Sequence, residues 1–223
     1  MNKYIKGYKI GYNDLLLTNK VIRNTYILLS ITLLFSAFMS WISVVVHSTP
    51  VGFMVFFIYI PLYYLVNVTK NSYYGIFFLF VLTGFMGYTL GPLLNIILYR
   101  FANGQEIVML SFGLTSCLFV LLSFYALLTK KDFNYLSCFL FVSVILVLIL
   151  SFIGMFFFIS WVNLLVSFIV VMLSCGYILY DTSLLINGGE RNYVVATINL
   201  YLNFFNLFVS LLRILGFFVG RRD

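Results

Sequence analysis

Seven apolar runs, separated only by short polar breaks, leave this chain almost no choice of solvent. A helix crossing a hydrocarbon core of about 30 Å needs about 20 apolar residues. By that measure spans are expected near 25–46, 51–68, 74–98, 107–128, 134–158, 162–185 and 196–219. The breaks run from His47 to Pro50, Lys70 to Ser72, Asn103 to Glu106, Lys130 to Asp132 and Asn187 to Arg191. Around Ser160 and Trp161 the break carries no charge, which predicts a tight hairpin between the fifth and sixth spans. Inside lipid every backbone polar group must be satisfied within the chain, so runs of this length become helices. The expected fold class is all-α, a seven-helix transmembrane bundle.

Composition excludes the soluble alternative. Charged residues make up 9% of the 223 and hydrophobic ones 63%, whereas a soluble domain carries about 25% charged residues. The organisation that follows is a basic N-terminal tail (1–24), one transmembrane domain (25–219) and a short C-terminal tail (220–223). The first run is too long for a signal-peptide core and reads as a retained anchor. The high aromatic content, 26 Phe and 17 Tyr, reads as lipid-facing filler with Phe standing in for Leu rather than as an aromatic cofactor box.

Orientation follows from Lys and Arg placement. With the N-terminus inside, the cytoplasmic segments hold Lys3, Lys6, Lys9, Lys20, Arg23, Lys70, Lys130, Lys131 and Arg191. The other side holds only Arg100, Arg213, Arg221 and Arg222. The basic C-terminus conflicts with seven crossings unless the last span is re-entrant or only partly inserted. The net charge of +7 is scattered among loops and tails and forms no continuous phosphate track. It therefore reads as topology and headgroup contact with the bilayer, and no nucleic-acid partner is expected.

Catalysis and cofactors find no support. Cys117, Cys138 and Cys175 sit in apolar runs without CxxC spacing, so they predict packing rather than a disulfide or a metal site. His47 is the single histidine and lies in a loop, which removes HExxH and Ser–His arrangements. Gly188-Gly189 is a turn, not a phosphate loop.

Ionisable groups inside spans are costly and usually have a reason to be there. Two stand out, Asp181 in the sixth span and Arg213 in the seventh. In the seventh, Asn199, Asn203, Asn206, Ser210 and Arg213 fall within an arc of about 80° at 100° per residue. Such a stripe is expected to turn away from lipid. The sixth span answers with Ser167, Ser174, Tyr177 and Asp181 on one face. A short loop makes the two spans antiparallel neighbours, so Asp181 is expected to bond Asn203 or Asn199. Arg213 lies ten residues past Asn203, about 15 Å along the axis, too far for a salt bridge to Asp181. Two readings of this seam stay open: interhelical glue, or a proton- or cation-responsive site centred on Asp181. In the third span Gly84, Gly87, Gly91 and Pro92 include a GxxxG pair that favours close helix packing.

Longer motifs carry a resemblance. The runs Gly176 to Thr182 (GYILYDT), Gly188 to Val194 (GGERNYV), Leu200 to Phe208 (LYLNFFNLF) and Leu211 to Gly216 (LLRILG) resemble the C-terminal signature of the Bax inhibitor-1 family. Asn19 to Ser30 and Gly84 to Pro92 are similar to its bacterial branch of FtsH modulators. The resemblance implies a bundle whose last helix is central and wrapped by the other six, in a bacterial inner membrane with a cytoplasmic N-terminus. It also implies a non-enzymatic modulator and substrate of the AAA protease FtsH, gripped by the tail that carries Lys3, Lys6 and Lys9. Other members are described as pH-sensitive calcium leaks gated by two facing aspartates. Here the first position is Asp181 but the second is Asn203, and no basic residue lies in the second span.

Overall fold

A computed structural model describes residues 12–220 apart from 51, 53 and 157–159. Seven helices follow in order: α1 (Tyr12–Val45), α2 (Met54–Thr69), α3 (Tyr73–Arg100), α4 (Gly104–Thr129), α5 (Leu136–Phe156), α6 (Ser160–Ile186) and α7 (Tyr193–Phe218). Six are long and apolar enough to cross a membrane. The seventh, α2, has 16 residues, about 24 Å of rise, and falls short of a full span. Turns at His47 (φ 52°) and Gly52 (φ 58°) consume the chain that the 51–68 run would have given it.

At its other extreme α1 reaches 34 residues, about 51 Å. It begins at Tyr12, so residues 12–24, expected as tail, are helical. No Gly or Pro interrupts 12–45, and Val21 and Ile22 pack on the central core, which extends the helix beyond the apolar run. Lys3, Lys6 and Lys9 lie outside the described residues.

The last helix is central. Of its spanning stretch 67% is buried, against 6–39% for the other spans. It packs on α1, α2, α3, α4 and α6, but not on α5, which touches α6 alone among the described residues. Five helices therefore wrap α7, not six. Helix α5 has no charged residue and no Asn or Gln, so lipid can surround it on every side but one.

Side chains at the two ends fix which termini meet. The α6–α7 loop joins the α2–α3 loop through Asn192, whose Nδ2 donates to Lys70 O (3.1 Å) and Asn71 Oδ1 (2.9 Å). Its Oδ1 accepts from the backbone N–H groups of Val194 and Val195, capping α7. Ser183 Oγ holds the α4–α5 loop at the same end, donating to Lys131 O and accepting from Phe133 N–H. At the opposite end Asn103 Nδ2 donates to Val219 O (2.9 Å). The seventh helix is thus unbroken from one end of the bundle to the other, and the re-entrant alternative falls. Asn192→Ala should remove a cap worth about 1 kcal/mol and two loop bridges of similar worth together. Thermal unfolding in detergent should show the loss, while Asn192→Asp, which keeps the capping acceptor, should restore part of it.

Candidate functional site: the polar seam of the central helix

The loop between α6 and α7 sets the register of the seam. Ile186 ends α6, Gly188 takes the left-handed conformation (φ 72°), and Gly189 N–H donates to Leu184 O at 2.8 Å. This is a Schellman closure, and at that position glycine avoids the strain a Cβ would bring. The chain turns within six residues, 187–192, and brings the last turns of α6 beside the first turns of α7. Asn203 Nδ2 consequently donates to Asp181 Oδ2 at 2.6 Å. Both residues are buried, 8% and 9% exposed. The donor–acceptor distance is short for an amide–carboxyl hydrogen bond.

Asn199, the other expected partner, goes elsewhere. It is half-buried, and its Oδ1 accepts from Tyr63 Oη of α2 at 3.5 Å. Ser210 is buried, whereas Asn206 and Arg213 are exposed. The stripe on α7 is therefore split along its length and does not turn inward as a whole. Asn203 and Ser210 occupy its inner edge, and Asn206 and Arg213 its outer edge. The cause lies in the neighbours. Helix α2 meets α7 at Val194, Ile198 and Asn199, all in the first half of α7, and α5 never reaches it. An arc of α7 is left uncovered in its second half. On α6, Ser167 and Ser174 are buried and Tyr177 is half-buried.

A second polar node holds the opposite face of α7 and was not visible in the spacing of polar residues. Tyr201 is fully buried. Its hydroxyl lies 2.7 Å from Ser36 Oγ of α1 and donates to Thr83 O of α3 at 3.1 Å. One turn earlier, Thr197 Oγ1 donates to Tyr193 O and to Thr25 O of α1. Nothing in the sequence separates Tyr201 from the other tyrosines of a chain with 17.

The glycines of α3 lie along α1. A Cβ on Gly84 would meet the Phe35 ring at 2.6 Å, one on Gly87 would collide with the backbone carbonyl of Ser36, and one on Gly91 with the Ser43 side chain. Beside them Pro92 cannot donate to the carbonyl of Tyr88, four residues earlier. That carbonyl instead accepts from Ser43 Oγ at 2.7 Å. A proline in mid-helix is thus accommodated by a hydroxyl from the neighbouring helix.

Among the described residues no group of three His, Cys, Asp or Glu could hold a metal ion. The site is a set of hydrogen bonds that lock α7 to its neighbours, with one acidic group at the α6 contact.

Comparison with known proteins places this arrangement. The sequence model of the family described as "Inhibitor of apoptosis-promoting Bax1" matches residues 18–220. A Pseudomonas aeruginosa protein of uncharacterised function is 43% identical over 88% of both chains. The modulator of FtsH protease YccA from Escherichia coli K12 is 40% identical over 92% of this chain and 93% of its own. A Vibrio cholerae membrane protein is 39% identical over 89% of this chain. With the family signature running across all but its two ends and a bundle built around α7, the chain belongs to the Bax inhibitor-1 family of multi-pass membrane proteins.

Proposed function

We propose that this protein is a non-enzymatic modulator and substrate of a membrane-bound AAA protease of the FtsH type, residing in a bacterial inner membrane with its N-terminus in the cytoplasm. The observation that carries the proposal is the 40% identity, across nine tenths of both chains, to a protein named as a modulator of FtsH protease. Two features of the fold agree with it. Helix α1 runs 13 residues ahead of its apolar run, from Tyr12 to Asn24, about 20 Å beyond the expected start of the span. A helix that starts this far ahead of its apolar run supports an end clear of the hydrocarbon core, within reach of a soluble ATPase ring. Helices α1, α2, α3 and α6 are tied to the central helix by side-chain bonds, which resists extraction.

Exposed Lys20, Arg23, Lys130, Lys131 and Arg191 gather at the end of the bundle that holds the α4–α5 and α6–α7 loops. Such a collar favours the cytoplasmic side. The alternative, a calcium or proton leak through the seam, has less behind it. Asp181 is buried and already occupied by Asn203, and a lone acid lacks the like-charge coupling of a dyad.

The test is the half-life of the full-length protein in a bacterial membrane, with and without FtsH and with and without residues 2–9. Removing either should lengthen the half-life several-fold, and removing both should add nothing further. A half-life indifferent to both would overturn the proposal and leave calcium flux in liposomes, with Asp181→Asn as control, as the next assay.

A further inference from the structure

The uncovered outer edge of α7 has its own chemistry. Arg213 is exposed on a membrane helix, six residues before Val219, the C-cap of α7. That is about 9 Å of rise from the helix end, which puts the guanidinium within reach of the headgroup boundary. Among the described residues no acidic side chain is available to it. Helices α2, α5 and α7 contain none, and the sole acid of α6, Asp181, is bonded to Asn203 ten residues away along α7. Glu106 of α4 lies by Val219, and six positions separate Val219 from Arg213, about 240° around the helix. Among the described residues, Arg213 therefore presents a charge with no protein counter-ion on its side of the bundle.

An open apolar groove of ≈ 440 Å³ runs along α6, lined by Trp161, Leu164, Leu165, Phe168, Ile169 and Met172. Two ring contacts join this groove to α7. Phe217, one turn after Arg213 on the same face, meets Trp161 edge-on at 5.5 Å, and Phe218 meets Phe168 at 6.3 Å. From Trp161 to Met172 the groove spans eleven helical steps, about 16 Å. That length matches one leaflet of a hydrocarbon core of about 30 Å. Its mouth holds a tryptophan, the residue that favours the headgroup level.

We infer that this face binds an anionic phospholipid, its phosphate held by Arg213 and one acyl chain laid along α6 from Trp161 to Met172. The charge complements the phosphate, and the length and apolarity of the groove complement the chain. A guanidinium can hold a phosphate through two parallel hydrogen bonds, so the proposal distinguishes arginine from lysine only in strength, and both from a neutral residue outright.

The experiment is native mass spectrometry of the full-length protein, delipidated in detergent and titrated with phosphatidylglycerol. Phosphatidylcholine of identical chains and the chain-free headgroup glycerophosphoglycerol serve as probes of charge and of the acyl chain. One phosphatidylglycerol should be retained in preference to phosphatidylcholine, and glycerophosphoglycerol should compete poorly. Arg213→Gln should weaken retention about tenfold, the scale of one lost charge-assisted contact, with Arg213→Lys in between. Leu165→Trp, which fills the groove without touching the charge, should weaken it as well. Unchanged retention in Arg213→Gln would overturn the inference, as would equal retention of the zwitterionic lipid. Competition by glycerophosphoglycerol as strong as by the lipid, with Leu165→Trp silent, would reduce the site to a bare anion contact and overturn it too. If Arg213→Gln does not yield folded protein, the Lys and Trp variants and the headgroup competition decide by the same criteria.

Discussion

Gly87→Leu should abolish or nearly abolish recovery of the folded protein, whereas Gly113→Leu should leave it unchanged. The two glycines are both helical and both in spans, and they differ in what stands opposite. A Cβ on Gly87 would run into the Ser36 carbonyl, with the Ser36 carbonyl carbon at 2.9 Å. Those are backbone atoms of α1, and they cannot rotate away as a side-chain tip can. Around Gly113 nothing lies within 4 Å. Overpacking a well-packed core costs about 1–3 kcal/mol where side chains can adjust. Here α1 and α3 must separate, and the separation propagates. Ser36 would leave Tyr201, and Ser43 would leave the Tyr88 carbonyl that Pro92 has deprived of its usual donor. The expected cost is therefore at or above the top of that range. Gly113→Ala should even gain a few tenths of a kcal/mol from better helix propensity. Detergent extraction followed by size-exclusion and thermal melting reads both. Gly87→Leu melting within a few degrees of wild type would show that α1 and α3 do not touch along this seam.

That contrast also shows what the sequence could and could not convey. Seven apolar runs and the scarcity of charge specify the class of fold, because lipid permits so few alternatives. The spacing of Gly84, Gly87 and Gly91 pointed to close packing but not to a partner, since a GxxxG stripe has no address. Only the fold assigns it to α1. The polar periodicity of α7 offered Asn203 and Asn199 as partners of Asp181, because a short loop fixes depth and a helix fixes angle, and the fold selects Asn203. It misplaced Asn206 and Arg213, because periodicity describes one helix and says nothing of how many neighbours cover it. The short α2 and the peripheral α5, which together leave that edge open, are facts of assembly. Tyr201 was illegible for a different reason: a buried phenol and a lipid-facing one look alike in sequence, and the contacts with Ser36 and Thr83 that distinguish it span 165 and 118 positions. The start of α1 was misjudged because hydropathy marks where lipid begins, not where a helix does.

The Asp181–Asn203 contact should show the largest coupling of any hydrogen bond in the bundle. Asn203→Leu strands a buried carboxyl oxygen without its donor, and Asp181→Leu strands a buried amide. Losses of about 2–3 kcal/mol are expected for the first and about 1–2 for the second. The double variant removes both polar groups together and should be less harmful than the sum, by roughly 2 kcal/mol. The magnitude carries the meaning. Hydrogen bonds between helices in one well-measured membrane bundle average about 0.6 kcal/mol of coupling. A value near that would make the pair ordinary glue, no different from the Tyr63–Asn199 contact at 3.5 Å. A value three times larger would fit the 2.6 Å separation and a charge-assisted bond. Asp181→Asn supplies the remaining comparison, since an amide keeps an acceptor for Asn203 while removing the ionisable group. If the bond matters only as a clasp that keeps α7 from being pulled out, Asp181→Asn should melt near wild type and leave the half-life under protease unchanged, while Asn203→Leu should lower the melting temperature and shorten the half-life together. Should Asp181→Asn alter the half-life at an unchanged melting temperature, the ionisable group itself would be regulating the encounter with the protease, and the seam would be more than a clasp.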